Sequence, residues 1–158
     1  MKVVGPITPE LEKALKAAER LLRFRPRSVK ELRIRLEQKG FEPAIYQQAI
    51  ESLLQKRLLD DRAFVTFWIS NRLQFKPMSR RRLLQELRMK GIDEDLLQSC
   101  LQEMDLPAEA DLARRLLKKK AKGVNREDPV SLRRLQGYLQ RRGFSYETIR
   151  EVLSWDDE

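Results

Sequence analysis

The sequence predicts an all-α protein, a tandem array of three three-helix repeats that is elongated and curved. Three observations carry this expectation. A frame running from Ser79 to Ile92 (SRRRLLQELRMKGI) has an earlier copy from Ser28 to Phe41 (SVKELRIRLEQKGF) and a later one from Ser131 to Phe144 (SLRRLQGYLQRRGF), at offsets of 51 and 52 residues. Only six Gly are present and no alternating β-branched run occurs, so a sheet is not expected. Apolar content of 41% with charged content of 36% suits helices with exposed faces and is too apolar for disorder. A chain of 158 residues fills one ordinary domain or a few small modules, burying roughly 70% of its unfolded surface if compact and less if elongated.

Each frame position has a physical reason. The Ser can cap the orphan N–H groups of a helix start, and in the first copy Glu31 stands at the third helical position, completing a capping box. Leu32 and Leu36, Leu83 and Leu87, and Leu135 and Leu139 lie four apart, stacked on one helix face. Gly40, Gly91 and Gly143 suit the left-handed residue that ends a helix, and Phe41, Ile92 or Phe144 would then fold back onto the second Leu. Lys39, Lys90 and Arg142 place a cation where the helix C-terminus favours one. The frame thus encodes a helix of about three turns with a defined stop.

In chain order, residues 1–8 carry no periodicity and are expected to fray. The first repeat, 9–59, starts on Thr8-Pro9-Glu10 with Thr as cap and Pro at the first helical position. Its first helix carries Ala14, Ala17, Ala18, Leu21 and Leu22 to about Phe24, and Arg25-Pro26-Arg27 breaks it. The framed helix follows, and Glu42-Pro43 opens a third helix ending near Leu59, with Tyr46, Ala49, Ile50, Leu53 and Leu54 inward. The second repeat, 60–106, begins at Asp60-Asp61, either of which can cap. Phe64, Val65, Phe67, Trp68, Ile69 and Leu73 then cover most of a helix circumference, as expected of a middle unit buried on more than one side and of the stability core. Lys76-Pro77-Met78 precedes the frame, Asp93 caps the next helix, and Leu106-Pro107 closes the repeat. The third repeat, 107–155, carries Ala110, Ala113, Leu116 and Leu117, a basic extension from Lys118 to Gly123, and a break at Asp128-Pro129 before Ser131. Ser145 caps the last helix, with Ile149, Val152, Leu153 and Trp155 inward, and 156–158 form an acidic tail.

Catalytic chemistry finds little support. The absence of His removes the commonest general base and metal ligand. Cys100 fills a repeat position held by Ala49 and Val152 in the other copies and is read as a core thiol; as the single Cys it forms no intrachain disulfide and fits a reducing compartment. Asp60-Asp61 is read as a helix cap rather than a metal site, and no Gly-rich phosphate loop is present. We therefore expect no enzyme and no cofactor. No apolar run approaches the roughly 20 residues that span a bilayer, and the start MKVVGPITPE lacks a signal-peptide core, so a soluble, cytoplasmic protein is expected.

The functional candidates are basic. Net charge is +9, which favours an acidic partner such as nucleic acid or an anionic protein surface. Candidate contacts are Lys30, Arg80, Arg81, Arg82, Lys118, Lys119, Lys120, Lys122, Arg133, Arg134 and Arg141. Among them Lys30, Arg81 and Arg133 share position two after the frame Ser, near a helix start, where a cation opposes the dipole; a binding role and a solvated face are the competing readings. Lys39, Lys90 and Arg142 fit the dipole and are read as structural first. The two sets lie nine residues apart, about 900° of helix rotation, and cannot form one stripe.

The three frames, the junction Leu58 to Phe64 (LLDDRAF), Glu86 to Ile92 (ELRMKGI) and Arg141 to Phe144 (RRGF) with its closing helix resemble the RecX family, regulators of the RecA recombinase. The resemblance runs from about Ala14 to Trp155. It implies a non-enzymatic, curved array of three-helix units that binds the groove of the RecA filament on DNA and suppresses strand exchange and ATP hydrolysis in recombination and DNA repair. The sequence departs from the family at Met78, where Gly is usual, and in the Lys-rich extension. Partners implied are the RecA filament and single- or double-stranded DNA through its phosphates, engaged by a monomer. Two alternatives stand beside it. One is a stand-alone nucleic-acid-binding protein of helix-turn-helix-like units, although the third helices lack a shared set of Arg, Asn or Gln for base edges. The other is a structural adaptor whose charge serves solubility.

Overall fold

A computed structural model of the chain describes residues 5–154. Among these residues the chain forms nine helices: α1 (Pro9–Phe24), α2 (Val29–Gln38), α3 (Pro43–Gln55), α4 (Asp61–Phe75), α5 (Arg80–Met89), α6 (Glu94–Glu103), α7 (Glu109–Lys120), α8 (Pro129–Arg141) and α9 (Tyr146–Leu153). They fall into three successive trios, each with a framed helix in the middle. Trp155 and the acidic tail lie outside the described residues, as do residues 1–4.

The frame folds as its residues dictate. Thr8 caps α1 through Leu11 N–H, and Ser28 and Glu31 form the reciprocal capping box of α2. At the exits Gly40, Gly91 and Gly143 take φ values of +88°, +79° and +87°. The next residue folds back identically in each copy: Phe41, Ile92 and Phe144 donate their N–H to Leu36, Leu87 and Leu139 O, each at 3.2 Å. These three Leu are fully buried, each contributing about 2 kcal/mol by leaving water.

Two elements differ from the sequence expectation. Helix α3 stops at Gln55 rather than near Leu59. Arg57 enters the left-handed region at φ +54°, and the Leu58 and Leu59 N–H groups turn back to Leu53 O at 2.9 and 3.2 Å. That turn buries Leu59 to 2% exposure against Leu32, Leu36 and Leu53. Helix α8 starts at Pro129 with Asp128 as its cap, so Ser131 is not the cap of the third framed helix. The Asp128 carboxylate takes the Val130 and Ser131 N–H groups and the Ser131 hydroxyl at 3.3, 3.0 and 2.7 Å. A carboxylate followed by Pro outcompetes a hydroxyl three residues on, because Pro presets the first helical φ and negative charge suits the helix dipole.

The chain packs as two compact units, one running up to Trp68 together with Leu87–Cys100, the other comprising Ile69–Glu86 and the chain from Leu101 onward. Helices α4, α5 and α6 each contribute to both. In the first unit α1, α2 and α3 enclose Ala18, Leu32, Leu36, Tyr46, Ile50 and Leu53. In the second, α7, α8 and α9 enclose Leu112, Leu116, Leu135, Leu139, Phe144 and Ile149, with Leu73 packed against them. Phe64, Val65 and Ile69 of α4 are fully buried, as are Leu87 and Leu97. Cys100 and Met78 are buried, each 2% exposed.

Candidate functional site

The cations are positioned by a junction made twice, in which one frame start rests on the next frame exit. In the first unit the Ser28 hydroxyl donates to Lys90 O at 2.8 Å while accepting from Glu31 N–H at 3.1 Å. Val29 N–H, an orphan donor of the helix start, goes to the Asp61 carboxylate at 2.8 Å. In the second unit Ser79 N–H donates to Arg142 O at 2.9 Å, and Arg80 N–H goes to the Glu109 carboxylate at 2.6 Å. The adjacent carboxylates Asp60 and Asp61 therefore differ in role, since Asp60 caps α4 through Arg62 and Ala63 N–H at 2.8 and 3.3 Å.

The junction also requires its glycines. A Cβ on Gly91 would stand 2.7 Å from Lys30 Cβ, and one on Gly143 would stand 2.5 Å from Ser79 Oγ. Nothing approaches the corresponding point on Gly40, the exit of the first framed helix, within 4 Å. Phe41 is accordingly half-buried, whereas Ile92 and Phe144 are 5% exposed.

Glu31 holds the charges of the first junction together. Its carboxylate takes two bonds from the Arg25 guanidinium at 3.1 and 3.2 Å and one from Lys90 Nζ at 2.5 Å. Burial pushes this carboxyl up, but the hydrogen bonds from Arg25 and Lys90 and their charges outweigh it and leave its pKa lowered. Asp61 is shifted the other way: burial raises it, the Val29 bond opposes, and the charges of Asp60 and Glu31 raise it further.

All eleven basic residues singled out from the sequence are exposed. Ten of them lie in the second unit and only Lys30 in the first. Lys30 Nζ donates to Met89 O at 3.1 Å, at the C-terminus of α5. A cation that opposes the dipole of its own helix thus complements that of another. Arg81 borders a cleft of about 270 Å³ with Ser79, Glu109, Phe144, Ser145 and Thr148. Lys118, Lys119 and Lys120 form the last turn of α7, and Lys120 Nζ lies 5.4 Å from the Tyr138 ring centroid. On α8, Arg134 and Arg141 stand seven residues apart, about two turns, and so share a face. A Cβ on Gly137, between them, would meet Arg141 Nη1 at 3.2 Å.

The cations read as structural are used within the chain in two of the three copies. Lys90 Nζ lies 4.4 Å from the Trp68 ring centroid in addition to its bond with Glu31. Arg142 donates to Pro77 O at 3.2 Å and stands 5.3 Å from the Tyr138 centroid. Lys39 is exposed.

Sequence reasoning missed two features. The carboxylates at the starts of α4 and α7, Asp61 and Glu109, serve the preceding frame rather than their own helix, and their recurrence at the same place in successive repeats was the available signal. Phe24 and Phe75, the last residues of α1 and α4, are 90% and 71% exposed. They lie 51 residues apart, the spacing of the first two frames.

Comparison with known proteins gives matches over most of the chain. Family models for the first, second and third three-helix domains of RecX match residues 14–53, 60–101 and 108–153 in that order. The regulatory protein RecX of Amycolatopsis mediterranei (strain U-32) is 32% identical over 153 residues, covering 94% of this chain and 87% of that one. The regulatory protein RecX of Mycobacterium avium (strain 104) is 34% identical over 144 residues, covering 90% and 83%. In fold, the crystal structure of RecX from Lactobacillus salivarius aligns with a TM-score of 0.74 at 18% identity, covering 93% of this chain and 96% of that one.

Proposed function

The chain belongs to the RecX family of regulatory proteins, and from that premise we propose that it is a negative regulator of the RecA recombinase. It binds the RecA filament on DNA as a monomer and inhibits strand exchange and the associated ATP hydrolysis. The observation that carries this reading is the ordered match of all three RecX domains along one chain.

The proposed contacts are the exposed cations. Arg80, Arg81, Arg82, Lys118, Lys119, Lys120, Lys122, Arg133, Arg134 and Arg141 meet DNA phosphates or acidic surfaces of the filament. Lys30, in the first unit, is a further proposed contact and also holds its own junction. By bridging neighbouring RecA subunits and DNA, the array favours a filament state that exchanges strands poorly or disassembles. No catalytic step is invoked.

The test is RecA-driven strand exchange and single-strand-dependent ATP hydrolysis with this protein titrated in, beside binding to bare DNA at two salt concentrations. Inhibition well below one copy per RecA, with weak binding to bare DNA, is the expected result. No inhibition at saturating protein together with tight, salt-sensitive DNA binding would sink the filament reading in favour of a stand-alone nucleic-acid-binding protein.

A further inference from the structure

Four of the six Phe in the sequence are at least half-buried, and two are not. Phe24 and Phe75 stand at repeat-equivalent positions, each closing the first helix of its repeat and each followed by a cation and a Pro, Arg25-Pro26 and Lys76-Pro77. A buried role does not explain them, because these residues are 90% and 71% exposed. Helix propensity does not explain them either, since Phe is a poorer helix former than Ala, Lys or Gln at a solvated site.

Exposed polar and basic residues stand next to both rings along their helices. Arg23 adjoins Phe24 and Arg20 lies one turn back on the same side of α1, and both are exposed. Phe75 sits between exposed Gln74 and exposed Lys76. A protein hot spot is an aromatic at the centre of a desolvated patch from which charge is depleted. An aromatic ring standing free beside cations is instead the pairing used for single strands, in which a base stacks on the ring while its phosphates meet the charge.

We propose that Phe24 and Phe75 are stacking platforms for the bases of single-stranded nucleic acid. Each ring takes a base face without regard to sequence, and the cations next to it, Arg20 and Arg23 for Phe24 and Lys76 for Phe75, neutralise the flanking phosphates. This rests on the nucleic-acid contact in the proposed function and adds to it a class of ligand, the unpaired base, that charge alone does not select.

The experiment is fluorescence anisotropy of a labelled 20-nucleotide oligothymidylate and of an abasic strand of the same length. It compares the wild type with Phe24→Ala, Phe75→Ala, the double variant, and Phe24→Trp with Phe75→Trp. Stacking of this kind predicts a loss of about 5-fold or more per ring removed on the oligothymidylate. The Trp variants should retain wild-type affinity, the abasic strand should bind all variants alike, and the salt slope should not change, since no phosphate contact is removed. Both rings are exposed, so the Ala variants keep the fold, which circular dichroism checks. The proposal is overturned if the double variant binds oligothymidylate like the wild type, if the loss is equal on the abasic strand, or if the wild type binds neither strand. Unchanged strand binding with lost inhibition of RecA would also overturn it, assigning the rings to protein contact. Because the strand assay contains no RecA, its failure leaves the regulatory reading to its own test.

Discussion

Glu31 performs two tasks with one carboxylate, closing the capping box of its own helix through Ser28 N–H and accepting the Arg25 and Lys90 cations that fasten the first junction. Its side chain is 15% exposed, so these pairs are less screened than surface ion pairs. A carboxyl whose folded pKa is lowered contributes stability that is fully present above its unfolded value and is lost as pH falls through the lowered one. Asp61 acts with the opposite sign: its folded pKa is raised, so protonation relieves it as pH falls. Glu31→Gln should therefore destabilise the protein near neutrality by about 1.5–3 kcal/mol, the range for hydrogen bonds to charged groups. The difference from the wild type should shrink in acid. Urea unfolding at neutral pH and below the ordinary carboxylate range measures both, and a pH-independent difference would show that the carboxylate charge is not what holds the junction. The pairing of Glu31 with Ser28 was legible in the sequence because it is local. Its pairing with Lys90 was not, because that residue is 59 positions away.

Among the elements, α8 best separates cations used inside the fold from those available to a partner. Arg142, immediately after the helix, is engaged by Pro77 O and the Tyr138 ring. Arg134 and Arg141 are exposed on one face, with Gly137 leaving room between them for the Arg141 guanidinium. The double reversal Arg134→Glu with Arg141→Glu should leave the urea midpoint near that of the wild type. It should lower DNA affinity and reduce the salt slope by about 2, or about 1 per lost phosphate contact. Salt titrations of DNA binding give the slope directly, and an unchanged slope would remove these residues from the interface. The start of this helix could also be read from sequence by weighing Asp128-Pro129 against Ser131. The frame repeat drew attention to the Ser, yet the stronger cap lies three residues upstream.

For the molecule as a whole, the repeats are the units of sequence but not of packing. Helices α4, α5 and α6 of the middle repeat each contribute to both compact units. Because each of these helices places residues in both units, a loss of packing in one of them is expected to weaken both. Leu87→Ala, at a fully buried position of α5, should cost about 2–5 kcal/mol and lower the stability of the whole chain in a single transition. Helicity by circular dichroism and tryptophan fluorescence should then give coincident unfolding curves. Two separated transitions would show that the units unfold independently. The sequence by itself determined the helices, the caps of the first two frames, the three left-handed glycine exits and the Leu pairs, because each depends on residues within about a turn of one another. It also supplied the resemblance to a family, through the order and register of the frames. Only the tertiary structure decided that Ser28 and Ser79 rest on Lys90 and Arg142, that Lys30 complements the end of another helix, and that Phe24 and Phe75 remain in solvent. Those outcomes depend on which surfaces meet across tens of residues of chain, and helical periodicity says which face a side chain occupies without saying what will cover it.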